Sequence, residues 1–268
     1  MIKNNNFFLE LEKILENKNI TNKIESFSKL QNKFKNNEYT YESINTKVFQ
    51  HPSYIDELTV VPSYEIKNRK NLHEKSGIAF LLHTVAHIEY SAIDLALDAC
   101  YRFQDLPHEY YTDWIDVAAD EVRHFELICT LMKKYDISYG DLPVHSGLFD
   151  ASMKSLELIP RMALIPRHME ANGLDSNAFI ISKLMKIKNT QEVIELFELI
   201  LEEEIDHVLK GDKWYKYACS KKENFTCNYF DIIEKIHPNS FKRNKTLNVE
   251  ARKRAGFSSE EIAIMQSK

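Results

Sequence analysis

Residues 121–124 read Glu-Val-Arg-His and residues 204–207 read Glu-Ile-Asp-His, and this repeated Glu-x-x-His decides how the chain is read. Residues three apart on an α-helix share a face, so each pair can grip one metal ion from one side. A well-placed glutamate precedes each pair: Glu89 by 32 residues and Glu170 by 34 (121 − 89 and 204 − 170). The chain therefore repeats a helix pair that supplies one Glu and one Glu-x-x-His.

The neighbours of each acid say where it points. On the same helical face as Glu89 lie Val85, Ala86, Ala92, Ile93 and Ala96; around Glu121 lie Val117, Ala118, Phe125 and Ile128. Glu204 is flanked by Phe197, Ile200, Leu201 and Val208, and Glu170 by Ile159, Met162, Ala163 and Pro166. A carboxylate centred on an apolar stripe is costly unless something neutralises it. A metal does so, and carboxylates with imidazoles suit iron and manganese. The expected ligands are Glu89, Glu121, His124, Glu170, Glu204 and His207, four acids and two imidazoles around two divalent ions. Glu203 also lies one turn from His207, but the match to the first motif favours Glu204. Asp120 and Glu203 each precede a ligand and are either acceptors for a ligand histidine's ring N–H or ordinary surface acids.

Four long helical patterns carry these residues, over about 71–103, 107–135, 149–171 and 190–217. Asp105 is expected as an N-cap before Pro107, Asn172-Gly173 is expected to stop the third helix, and Asn189 is expected to cap the fourth. The long link after the second helix, with Gly140, Pro143 and His145, fits a crossover. The predicted fold is all-α: a ferritin-like four-helix bundle over 71–218. A helical N-terminal extension (1–70) and a C-terminal extension (219–268) are expected to pack on it. The N-terminal part is Asn/Lys-rich, with short amphipathic helices near Phe7–Leu15 and Ile24–Phe34.

Composition agrees. Of 268 residues only 6 are Gly and 7 Pro, which favours helices, and 44% are hydrophobic, enough for a core. A net charge of −5 argues against a surface built wholly for nucleic acid. The tail's basic patches (Lys242, Arg243, Lys245; Arg252, Lys253, Arg254) are compatible with an anion such as RNA, or are solubilising. Cys100, Cys129, Cys219 and Cys227 form no CxxC pair and are expected as free thiols. The longest apolar run is far too short to span a bilayer, and no secretory leader is seen, so a cytoplasmic location without membrane contact is expected.

Other residues have quieter readings. His83 and His87 are one turn apart, but a hydrogen-bonded structural role is favoured over ligation. Tyr90 is expected to pack, and Trp114 to lie beneath the site. Trp214, Arg161 and Arg167 line an entrance or cap and pair.

Several motifs in order carry a resemblance. They are residues 83–93 (His-Thr-Val-Ala-His-Ile-Glu-Tyr-Ser-Ala-Ile), 120–125 (Asp-Glu-Val-Arg-His-Phe) and 139–148 (Tyr-Gly-Asp-Leu-Pro-Val-His-Ser-Gly-Leu). They continue with 161–175 (Arg-Met-Ala-Leu-Ile-Pro-Arg-His-Met-Glu-Ala-Asn-Gly-Leu-Asp), 203–208 (Glu-Glu-Ile-Asp-His-Val) and 248–257 (Asn-Val-Glu-Ala-Arg-Lys-Arg-Ala-Gly-Phe). Over roughly 60–258 the chain resembles the DUF455 family of the ferritin-like superfamily, leaving the N-terminal region outside. The resemblance implies a ferritin-like fold and a di-iron centre. A more distant similarity to the tRNA-modifying di-iron hydroxylase MiaE implies oxygen-dependent chemistry.

The functional expectation is an O2-dependent di-iron monooxygenase or hydroxylase, with Fe/Fe or Mn/Fe as the metal pair. Its substrate would be a small molecule or a nucleoside, and its electrons would come from an external donor, because no flavin or nicotinamide fingerprint is present. Iron handling by a ferroxidase, and a helical interaction protein with a degenerate site, are the alternatives.

Overall fold

The computed structural model describes residues 5–66, 71–222, 227–242 and 246–267. Among them the protein is all-α, with two isolated β-bridges and no strand. The chain divides into two compact units, Met1–Phe149 and Asp150–Lys268.

The N-terminal unit begins with α1 (Phe7–Glu16) and α2 (Ile20–Lys35). Its asparagines act as caps: the Asn6 side chain accepts from the Leu9 N–H at 3.0 Å, and that of Asn19 from the Asn22 N–H at 2.9 Å. Phe7, Phe8, Leu11, Ile14 and Leu15 are buried, and α1 packs on the long helix α3 (Lys75–Arg102). The Tyr101 hydroxyl donates to Glu12, and the fully buried Lys23 ammonium pairs with Asp94 and donates to Ser53 Oγ at 2.7 Å. A lysine so placed is tolerated because a carboxylate and a hydroxyl replace its water.

A short link leads to α4 (His108–Met132), packed along α3. The Tyr110 hydroxyl donates to the Ala99 carbonyl at 3.2 Å, and His124 meets Glu89 further along. Rising numbers on one helix thus oppose falling numbers on the other, as two antiparallel helices require. Asp105 is not the N-cap of α4. It takes a left-handed conformation (φ 60°) in the link and accepts from Ser43, and Pro107 occupies the cap position. A single helical turn at Lys133–Tyr135 ends this pair.

The link that follows is bound back to its own unit. Val144 exchanges backbone hydrogen bonds of 2.9 Å with Thr59 and Val61. Gly140, at φ 102°, and Leu142 donate their N–H groups to His83 Nε2 at 3.1 and 3.3 Å. The unit boundary falls inside the short helix α5 (Gly147–Met153).

In the C-terminal unit, α6 (Leu158–Leu164) runs into a π-helical turn, Ile165–Glu170, and on into α7 (Ala171–Leu184). The predicted stop at Asn172-Gly173 does not occur. A Cβ at Gly173 would meet nothing within 4 Å, so that glycine costs helix propensity and little else. Burial of Leu174 and a buried ion pair between Asp175 and Arg252 outweigh the cost. Pro166 has no N–H to donate, and a wide turn absorbs the mismatch.

Helix α8 (Gln191–Ser220) packs on α6, the π turn and α7. Asn189, expected as its cap, is left-handed (φ 63°), and Thr190 stands at the cap with its hydroxyl donating to the Leu184 and Ile187 carbonyls. Short helices α9 (Tyr229–Ile236), α10 (Val249–Arg254) and α11 (Ser259–Ser267) complete the unit. Cys219 and Cys227 are joined as a disulfide with Cα atoms 5.9 Å apart, which corrects the expectation of free thiols; Cys100 and Cys129 are free. Eight residues of separation match no spacing motif, so sequence alone offers no sign of this pairing. No helix among the described residues is long and apolar enough to cross a membrane.

Candidate metal centre

The packing of α3 against α4 brings together Glu89, Glu121 and His124. Each offers a ligand atom within 4.8 Å of the others'. Nδ1 of His124 lies 3.1 Å from a Glu89 carboxylate oxygen and 3.8 Å from one of Glu121. Glu121 is 1% exposed and His124 0%. The helical repeat explains the grouping: Glu121 and His124 share a face, and that face is the one turned to α3.

Such a cluster demands positive charge. Burial disfavours the charged form of His124, yet hydrogen bonding and attraction from Glu121 and Glu89 override it and raise its pKa to about 11. Two buried carboxylates converging on one imidazole are stable only with a proton or a cation among them. The donor set is therefore one that could hold a metal ion.

The C-terminal unit repeats the motif. Glu204 and His207 are buried on one face of α8, with His207 Nδ1 3.5 Å from a Glu204 oxygen. Glu170 ends the π turn and is half-buried. It lies in mid-helix, because the helix continues to Leu184. Glu204, like Glu89, Glu121 and His124 in their own unit, is a buried group of a type that could hold a metal.

Sequence reading passed over Gly211. It stands one turn after His207 on α8, and a Cβ there would lie 2.4 Å from Cβ of Pro166. Only glycine lets α8 touch the turn that carries Glu170. The available signal was a glycine inside a long helix, where it costs about 1 kcal/mol without such a reason.

The quieter readings resolve as follows. The His87 Nε2–H donates to the His145 carbonyl at 2.8 Å, and Nδ1 accepts from the Tyr139 hydroxyl at 2.8 Å. Burial lowers its pKa to about 4 and also lowers that of His83. Both are neutral structural histidines that fasten the 136–146 link. Tyr90 is fully buried beside Tyr54, Phe125 and Tyr139, and Trp114 and Trp214 are buried. Arg161 donates to the Ser152 and Ser155 carbonyls at 3.0 Å, capping α5. Arg167 is buried and paired. Asp120 pairs with Arg123 on its own helix, and Glu203 is half-buried. In the tail, Arg252 is buried against Asp175 and Arg254 pairs with Glu202, so these charges are met within the unit. Arg243 and Lys245 lie outside the described residues.

The family model described as "Protein of unknown function (DUF455)" matches residues 16–263. The match starts well before residue 60, so α2 and the chain leading to α3 are part of the shared pattern, contrary to the narrower span expected. A protein of Haemophilus influenzae described as "Uncharacterized protein" is 34% identical over 204 residues, covering 72% of this chain and 69% of that one. No solved structure matches. With nearly its whole described length inside the match, the chain belongs to the DUF455 family.

Proposed function

We propose that the protein is a ferritin-like di-iron oxidoreductase, an O2-dependent monooxygenase or hydroxylase acting on a small-molecule or nucleoside-type substrate. In this reading Glu89, Glu121 and His124 from one unit and Glu170, Glu204 and His207 from the other ligate one metal pair, Fe/Fe or Mn/Fe. The observation that carries it is the buried contact of Glu89 and Glu121 with His124. The repeat of Glu-x-x-His with the same local geometry on α8 supports it.

When bound, the metal pair supplies reduction of O2 and insertion of oxygen into a C–H or N–H bond, with electrons from an external donor. The chain's own part is to hold and exclude. Four carboxylates balance the charge of two divalent ions. His124 and His207 would each hold an ion, each imidazole oriented by the helix that also presents its partner glutamate. The apolar residues flanking each acid, among them Ala86, Ile93, Val117, Ala118 and Val208, are buried and keep water from the carboxylates. A dry surround strengthens every charge interaction inside it.

The test is metal loading followed by oxygen uptake. Protein loaded anaerobically with ferrous iron and given an artificial one-electron donor, a mixture of nucleosides and labelled O2 should place label in an organic product, and Glu121→Ala should not. O2 uptake that yields no labelled product would instead indicate iron handling and contradict the oxygenase reading.

A further inference from the structure

The π turn that ends in Glu170 is gripped by residues distant in sequence. The Arg167 side chain is buried; its Nε donates to Asp212 of α8 at 2.7 Å and its NH2 group to Glu261 of α11 at 2.7 Å. Its guanidinium lies over three rings: Tyr229 at 4.2 Å, Phe257 at 4.6 Å and Tyr215 at 5.2 Å. The Tyr229 hydroxyl donates to the Arg167 carbonyl at 3.3 Å and lies 3.1 Å from Nδ1 of His168. So both the side chain and the backbone of the turn are held.

The holding groups are themselves fixed. Lys216 donates to the second oxygen of Asp212 at 2.6 Å. Gly256 has φ 94°, and a Cβ there would lie 2.6 Å from that same oxygen, so only glycine lets the 254–257 segment close over Asp212. Next to Arg167, Pro166 rests on Gly211. A six-residue π turn is a costly conformation that persists where its surroundings over-determine it.

We propose that Arg167, locked by Asp212, Glu261 and the rings of Tyr215, Tyr229 and Phe257, is a positioning residue that holds the π turn and so presents the Glu170 carboxylate to a metal ion. The inference rests on the dimetal reading of Glu170. It gives α9 and α11 a role at the centre without either of them supplying a ligand. Arginine suits the task because its planar fork can serve two carboxylates while its faces stack on rings, which a lysine cannot do.

The test uses the full chain: wild type, Arg167→Gln, Arg167→Lys and Glu261→Gln. Manganese(II) titration measures stoichiometry and affinity, and hydrogen exchange is followed in the metal-free proteins. Wild type should bind two ions. Arg167→Gln should weaken the second ion about 10–100-fold, the range for losing a group that orients a ligand, with partial recovery in Arg167→Lys. Exchange should quicken in residues 165–171 and stay unchanged in 191–207. Should Arg167→Gln not fold, Glu261→Gln removes one arm of the lock and should shift the same two readouts in the same direction by less. Two ions bound with wild-type affinity in the folded variants would overturn the positioning role and leave the dimetal reading standing. A wild type that binds no ion would overturn both.

Discussion

Glu89 on α3 and His124 on α4 meet at 3.1 Å between carboxylate oxygen and Nδ1, both buried, across 35 residues of sequence. A contact of this kind is hard to keep without a cation. Ferrous iron or manganese(II) added to metal-free protein should therefore raise its melting temperature. A ligand at 100 times its dissociation constant stabilises by about 2.7 kcal/mol, a rise of several degrees for a chain of this size. Glu89→Ala should remove the rise, as read by calorimetry with and without metal. An equal rise in the variant would place the ion elsewhere.

Gly211→Ala should destabilise. Its Cβ would enter the ring of Pro166 at 2.4 Å, and overpacking of this kind costs about 1–3 kcal/mol. The better helix propensity of alanine returns about 1 kcal/mol. Urea denaturation should show a net loss; a gain would mean that α8 and the π turn are not in contact.

The pair of Asp175 and Arg252 stitches α7 to α10. Both side chains are buried, and Asp175 also accepts from the Asn248 N–H at 2.8 Å. Breaking one side of such a pair costs about 3–5 kcal/mol because the other charge is stranded. Asp175→Ala should show that loss. Asp175→Leu combined with Arg252→Met should recover much of it, since apolar replacement of both partners is often close to neutral. A single variant as stable as wild type would refute the assignment.

Acid should loosen the Arg167 lock. Burial alone would raise the Glu261 pKa, but Arg167 with the Ser258 N–H lowers it below the usual value of 4.5. A carboxylate whose pKa is lower folded than unfolded adds stability above its unfolded pKa and loses it as pH falls through the folded one. The stability difference between wild type and Glu261→Gln should therefore be constant near neutrality and shrink below pH 4.5. A difference that grows on acidification would show the opposite sign of coupling.

Much of this was readable from the residues, and what was not has physical causes. Helices α3, α4 and α8 follow from apolar stripes interrupted by single acids, and those acids are the buried ones. Glu121 and His124 needed only the helical repeat to be placed on one face. The course of the chain between Glu170 and Leu184 was not legible, because Asn172-Gly173 is a strong local stop overruled by tertiary contacts of Leu174 and Asp175. Local signals misplaced the caps at Asp105 and Asn189, where a left-handed residue precedes the helix. The lock on Arg167 joins positions up to 94 residues apart, from Arg167 to Glu261, and no periodicity reports that.

Metal analysis of the full chain by inductively coupled plasma mass spectrometry, after anaerobic reconstitution and desalting, addresses the dimetal centre itself. Two transition-metal ions per wild-type chain are predicted, with the bound metal lost in both Glu121→Ala and His207→Ala. A wild-type chain that emerges metal-free, or variants that retain two ions, would contradict it.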